Sequence, residues 1–153
     1  MILAINCGSS SLKYTLFDWD KYSVILTGSA EKVGNVEKSF INHKKDGQKK
    51  KVELPLKDHQ VTLEKILSLI EEDGIKKEDI SVVAHRFVHG GEKYRKSMIV
   101  NEEIVADLEK LNPLAPLHNP ANISGIKSVM AAMPWATNTI SLDTSFHEAL
   151  PEQ

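Results

Sequence analysis

The spacing of apolar and polar positions divides the chain into a β-rich first third and a mixed remainder. Residues 2–5 (ILAI) form a short apolar run suited to a buried strand, and Asn6 closes it. A bend of small residues follows, Gly8-Ser9-Ser10-Ser11, then Lys13, then a second extended run over residues 14–17. Residues 22–27, 36–43 and 49–54 read as further strands from their β-branched and aromatic content. Asp46-Gly47, between the last two, is a strong hairpin-turn dipeptide. Beyond Pro55 the period changes. Leu63, Ile66, Leu67 and Ile70 fall at i, i+3, i+4 and i+7, which predicts a helix capped by Asp58 or Thr62. Residues 80–84 (ISVVA) predict a fully buried strand, followed by the polar run 85–91. Asn101 opens a second predicted helix with Ile104, Val105 and Leu108 inward, and residues 121–133 predict a third that stops at Pro134. Residues 137–142 read as a last strand ending at Asp143. The chain is expected to continue beyond residue 153 as part of something longer.

Composition narrows the class. The 153 residues are 41% apolar and 26% charged, ordinary for a globular protein with a real core. A net charge of −2 gives no broad pull toward nucleic acid or anionic membrane, so any anion site must be local. Cys7 is the only cysteine, which excludes an internal disulfide and suits a reducing compartment. No apolar stretch approaches the roughly 20 residues of a membrane helix. A cytoplasmic location is expected.

Three polar clusters each end an apolar strand: Asn6 to Lys13, His85 to Gly91, and Asp143 to His147. If the strands are neighbours, the clusters meet on one sheet edge, where α/β proteins place their sites. Around the first bend, amide N–H groups, hydroxyls of Ser9 and Ser11, and Lys13 are parts for holding a polyphosphate. Asn6 offers a neutral oxygen suited to hydrated Mg²⁺. The alternative is a tight hairpin whose serines satisfy their own turn. A Walker A loop is excluded, because Leu12 precedes Lys13, Tyr14 follows it, and the next element is extended. Arg86 can grip a carboxylate or phosphate with two parallel hydrogen bonds, or sit in a structural ion pair. Zinc at His85 and His89 is a weaker reading, since their spacing suits a helix and the stretch does not look helical. In the rigid turn Leu114 to Pro120, Leu117 together with Val88 would wall a small apolar pocket beside Arg86, or the turn is merely structural. His118 would donate to an anion or cap the next helix. Asp143 is a candidate to hold Mg²⁺, position a nucleophile or act as a base; alone it would read as a turn residue. The lysines at 44, 45, 49, 50 and 51 suit a solvated edge better than a phosphate-steering patch.

Taken together, NCGSSSLKY (6–14), HRFVHGG (85–91), LAPLHNPAN (114–122) and LDTSFHEALP (142–151) closely resemble the motifs of the acetate and propionate kinase family, in family order across the whole chain. The resemblance implies an α/β fold of the actin-like, ribonuclease H-like type, a mixed sheet flanked by helices. Residues 1–153 would be the N-terminal domain of a two-domain kinase whose C-terminal domain is absent here. It implies reversible, Mg²⁺-dependent phosphoryl transfer from ATP to acetate, giving ADP and acetyl phosphate, with propionate as the alternative substrate. Under the resemblance Asn6 is a Mg²⁺ ligand, and Lys13, Ser9 and Ser11 bind the ATP phosphates. Arg86 and Asp143 are catalytic, and Arg86, Val88, Leu117 and His118 bind the carboxylate substrate. Acetate is already ionised at neutral pH, so Asp143 is better suited to order Mg²⁺ and the attacking oxygen than to remove a proton. Cys7, Leu142 and Ser145 depart from the family pattern, where Ala, Phe and Ala are more usual, without removing a charge. The adenosine loops, further catalytic residues and most of a homodimer interface would lie in the absent half. The isolated domain is therefore expected to be inactive. Two readings compete: a non-catalytic anion-binding module, and a regulatory actin-fold ATPase that would need no carboxylate-binding Arg.

Overall fold

The computed structural model describes residues 1–87 and 96–142, Leu142 through its backbone alone. The first strands are β1 (Ile2–Cys7), β2 (Ser11–Asp18), β3 (Ser23–Glu31), β4 (Phe40–Lys45) and β5 (Gln48–Glu53). They form an antiparallel meander. Helix α1 (His59–Glu72) follows, then β6 (Val82–Phe87), β7 (Met98–Val100), α2 (Glu102–Glu109), α3 (Asn119–Ala132) and β8 (Thr137–Leu142). All eight strands belong to one sheet, in the order β5-β4-β3-β2-β1-β6-β8-β7. The three strands that carry the polar clusters, β1, β6 and β8, are adjacent and parallel. Their carboxyl ends share one edge.

The strand pattern explains the layers. Along β1, Leu3, Ile5 and Cys7 are buried while Ala4 and Asn6 are only partly covered. Along β2, Leu12, Tyr14 and Leu16 are buried and Lys13 is exposed. The buried set packs with Leu63, Ile66, Leu67 and Ile70 of α1 into one apolar cluster. Phe87, Val100, Ile140, Val105, Leu108, Ile123 and Ile126 form a second, joining β6, β7 and β8 to α2 and α3. Both clusters lie on the helix side of the sheet. The opposite face carries Asn6, Lys13, Thr15, Ser29, Asn42 and Arg86 by alternation.

Local signals set most boundaries. The Asp58 carboxylate accepts the Val61 N–H at 2.8 Å and caps α1. Asn101 caps α2 the same way through the Ile104 N–H. Asp46 and Gly47 both have positive φ, 54° and 77°, as a two-residue hairpin with mirror-image turn geometry requires. β7 is a strand the apolar pattern did not predict, because three residues give too short a period to detect. Residues 36–39, expected to begin a strand, instead turn, and Ser39 is buried with its hydroxyl donating to the Leu54 carbonyl. β5 is one of the two edge strands of the sheet. Its lysines split between faces, Lys50 toward Glu72 of α1 and Lys51 over the Phe40 ring, as a solvated edge would arrange them.

One buried polar chain crosses the meander. Tyr14, Gly28 and His43 stand side by side on β2, β3 and β4. Gly28 leaves room for the Tyr14 ring to lie across β3 and reach His43, with the Tyr14 hydroxyl 2.6 Å from Nδ1. The far nitrogen, Nε2, lies 2.6 Å from the Asp73 carboxylate at the end of α1. The Tyr14 hydroxyl donates to Nδ1, and Nε2–H donates to the Asp73 carboxylate. Burial, reinforced by the negative charge of Asp73, pushes the Tyr14 phenol well above its usual range, so it stays a donor.

A Cβ at Gly28 would sit 2.1 Å from the Tyr14 ring. Gly28→Ala is therefore expected to destabilise the chain by roughly 1–3 kcal/mol in urea unfolding. In a Tyr14→Ala background the same substitution should cost far less. An equal cost in both backgrounds would refute the crossing.

Candidate functional site

The site begins with register. Lys13 lies opposite Asn6, and Arg86 lies opposite Ser141. Ile5 pairs with His85, so Asn6 and Arg86 each stand one residue past that pair. Lys13, Asn6, Arg86 and Ser141 thus form one row across β2, β1, β6 and β8, on the face away from the helices. They line a single cavity of ≈ 370 Å³ with Ala4, Thr15 and Ala84. A larger hollow of ≈ 670 Å³ adjoins it across Lys13 and Thr15 and extends toward Lys44, Lys49 and Lys51. Two cations and a neutral amide around one hollow make an anion-receiving surface.

The bend between β1 and β2 stands at the end of this row. The Gly8 N–H donates to the Ser11 carbonyl at 3.0 Å and closes the hairpin. Gly8 does not take the left-handed backbone that its position suggests; a Cβ there would instead meet the Ser11 hydroxyl at 2.8 Å. Ser9 is exposed, and Ser11 is half-buried on the same strand face as Lys13. Cys7 faces the helices. Burial pushes its thiol up to about 12, which removes it from chemistry at neutral pH.

Other expected residues fall elsewhere. His85 alternates away from Arg86 into the interior, where Nε2–H donates to Asn138 at 2.8 Å. It faces the opposite side of the sheet from the cavity, and its pairing with His89 lies outside the described residues. Burial pulls it down to about 4, so it is neutral at pH 7. His118 occupies the N-cap position of α3, but its exposed side chain makes no capping bond. Leu117 is 79% exposed. Among the described residues, neither lines the cavity around Arg86. Val88, His89 and Asp143 lie outside the described residues. Ser141 was missed, although it stands two residues before Asp143 and shares the strand's period of two.

Metal fit follows from donor chemistry. Among the described residues no cluster of His, Cys, Asp and Glu could cage an ion. Asn6 beside two cations suits a water-clad Mg²⁺ that arrives on phosphate oxygens and needs only one or two protein contacts.

A mixed eight-stranded sheet with helices on one face and a polar row on the other is the architecture of an actin-like α/β domain. The chain belongs to the Acetokinase family, whose sequence model it matches over residues 1–153. It is 45% identical to the acetate kinase of Fervidobacterium nodosum, over 98% of this chain and 38% of that protein. Among solved structures, acetate kinase of Porphyromonas gingivalis superposes with a TM-score of 0.89 at 38% identity, covering 99% of this chain and 39% of that one. A propionate kinase from Francisella tularensis superposes at 0.88 with 31% identity, over 98% and 38%. The chain therefore spans under two fifths of the length of these relatives.

The His85 shift has a measurable consequence. Its ordinary value is 6.5, so below that pH the unfolded chain binds a proton that the folded chain refuses until about 4. Stability present above pH 6.5 should fall progressively between pH 6.5 and 4, by about 3 kcal/mol. His85→Gln, which keeps a donor for Asn138, should flatten the pH profile of urea midpoints in that window. An unchanged slope would contradict the buried neutral imidazole.

Proposed function

We propose that this chain is the N-terminal domain of a kinase that transfers the γ-phosphoryl group of ATP reversibly to acetate, yielding ADP and acetyl phosphate. The row of Lys13, Asn6, Arg86 and Ser141 around one cavity is the observation that carries this reading, together with family membership. Arg86 would bind the acetate carboxylate through paired hydrogen bonds. Lys13 and the turn with Ser9 and Ser11 would hold the phosphates. Asn6 would contribute one oxygen to Mg²⁺, which when bound neutralises charge on the transferring group. One carboxylate oxygen attacks phosphorus as the bond to the ADP oxygen breaks. Asp143 would order the attacking oxygen and Val88 would meet the methyl group.

Propionate is the second reading, because a propionate kinase superposes almost as well as an acetate kinase. The choice turns on the room beside Arg86 where Val88 would meet the alkyl group. We place the protein in the cytoplasm, as a homodimer through a second domain, with nucleotide and carboxylate as its partners and no role for nucleic acid or membrane. Stabilising a phosphoryl group in transfer takes donors on both its sides. One domain supplies one side, so residues 1–153 alone should turn over at background.

The test is Arg86→Ala in the full-length parent. Loss of a charge-assisted pair should raise KM for acetate by about 10- to 100-fold, with KM for ATP little changed. Equal rates on acetate for parent and variant would sink the assignment; robust turnover by residues 1–153 alone would refute only the expected inactivity of the isolated domain.

A further inference from the structure

The turn from Cys7 to Ser11 is held by its carbonyl oxygens. The Cys7 carbonyl accepts the Asn122 side-chain N–H at 2.8 Å. The Gly8 carbonyl accepts Nε2–H of His59 at 2.8 Å. The Ser10 carbonyl accepts the Val33 N–H at 2.9 Å, and the Ser11 carbonyl accepts the Gly8 N–H at 3.0 Å. Donors from α1, from α3 and from the segment after β3 thus converge on a five-residue bend.

Peptide planarity gives this convergence a direction. In a trans peptide the C=O and the next N–H point opposite ways. Drawing the Gly8 oxygen toward His59 therefore turns the Ser9 N–H away from α1. Among the described residues that N–H has no acceptor. A carbonyl facing an incoming phosphate would repel it; an amide would bind it.

The supports are themselves fixed. A carbonyl only accepts, so His59 must carry its proton on Nε2, and Nδ1 lies 3.2 Å from the Ser124 hydroxyl of α3. Gly125 lets α3 press against β1: a Cβ there would sit 2.9 Å from the Cys7 Cβ. Asn122 is three residues earlier, on the same side of the helix, which brings its amide to the Cys7 carbonyl.

We propose that His59 and Asn122 are positioning residues of the turn: their side-chain N–H groups keep the Gly8 and Cys7 carbonyls turned into the domain, so that the Ser9 amide faces the phosphate chain. This rests on the turn being the phosphate contact of the proposed kinase. Neither residue touches the phosphate itself.

The probe is inorganic tripolyphosphate, titrated into the 153-residue chain while the Ser9 amide is followed by NMR. His59→Leu, which lacks the donor, should weaken binding by about 3- to 10-fold. His59→Gln, which restores an N–H at similar reach, should recover most of it. In the full-length parent the same pair should raise and then restore KM for ATP, leaving KM for acetate unchanged. A merely structural histidine would move both constants, or neither. Asn122→Asp, which removes the donor but keeps the shape, should repeat the loss and serves if His59→Leu fails to fold. Binding to His59→Leu as tight as to the native chain, with a native-like spectrum, overturns the positioning role and leaves the kinase reading intact. No Ser9 response in the native chain overturns the positioning role together with the phosphate turn. A Ser9 response lost in His59→Leu, in a parent that phosphorylates no acetate, supports the positioning role and overturns only the kinase reading.

Discussion

The pairing of β1 with its two neighbours governs this molecule. β1 meets β2 antiparallel and β6 parallel, and both pairings put Leu3, Ile5 and Cys7 toward the helices. A slip of one residue would carry that apolar set to the opposite face and send Asn6 into the core. Burial of Leu3 and Ile5, 0% and 4% exposed, therefore fixes the polar row as firmly as any contact within the row. The site is the reverse side of the core.

The same economy runs through the meander. Tyr14 follows Lys13 on β2, so the residue that anchors the strand on one face is adjacent to the residue that meets the cavity on the other. Tyr14 reaches His43 over Gly28, and His43 reaches Asp73. β2, β4 and the end of α1 are thus tied across β3 by polar groups of satisfied geometry, and such networks rigidify the core they cross. The helix layer does comparable work at the other end, where α3 closes on β1 at Gly125.

Much of this was legible in the sequence, for identifiable reasons. The Asp46-Gly47 hairpin and the helix starts at Asp58 and Asn101 rest on local chemistry and appear where the pattern put them, whereas the expected fully buried strand at 80–84 lies at 82–87 with alternating burial. The meeting of Asn6, Lys13 and Arg86 was legible because their polar clusters follow apolar runs of neighbouring strands, although all three residues lie within β1, β2 and β6 themselves. What was not legible depends on distance along the chain. His59 reaches a carbonyl 51 residues away and Asn122 one 115 residues away, and no local pattern encodes either. The inward turn of His85 was hidden because its neighbour Arg86 drew the motif toward the site. Only the alternation of β6 separates the two. Gly28 looked like an ordinary strand glycine until the Tyr14 ring was seen to cross it.

The burial of Cys7 reaches into laboratory practice. It is the chain's only sulfhydryl, sealed between β1 and α3, with a proton it does not give up near neutrality. Maleimides and iodoacetamides find essentially no thiolate there. A single cysteine placed on the surface, on the solvent side of β5 for instance, would then be the sole handle for a fluorophore or spin label. Residues 1–153 carry no other thiol to remove first.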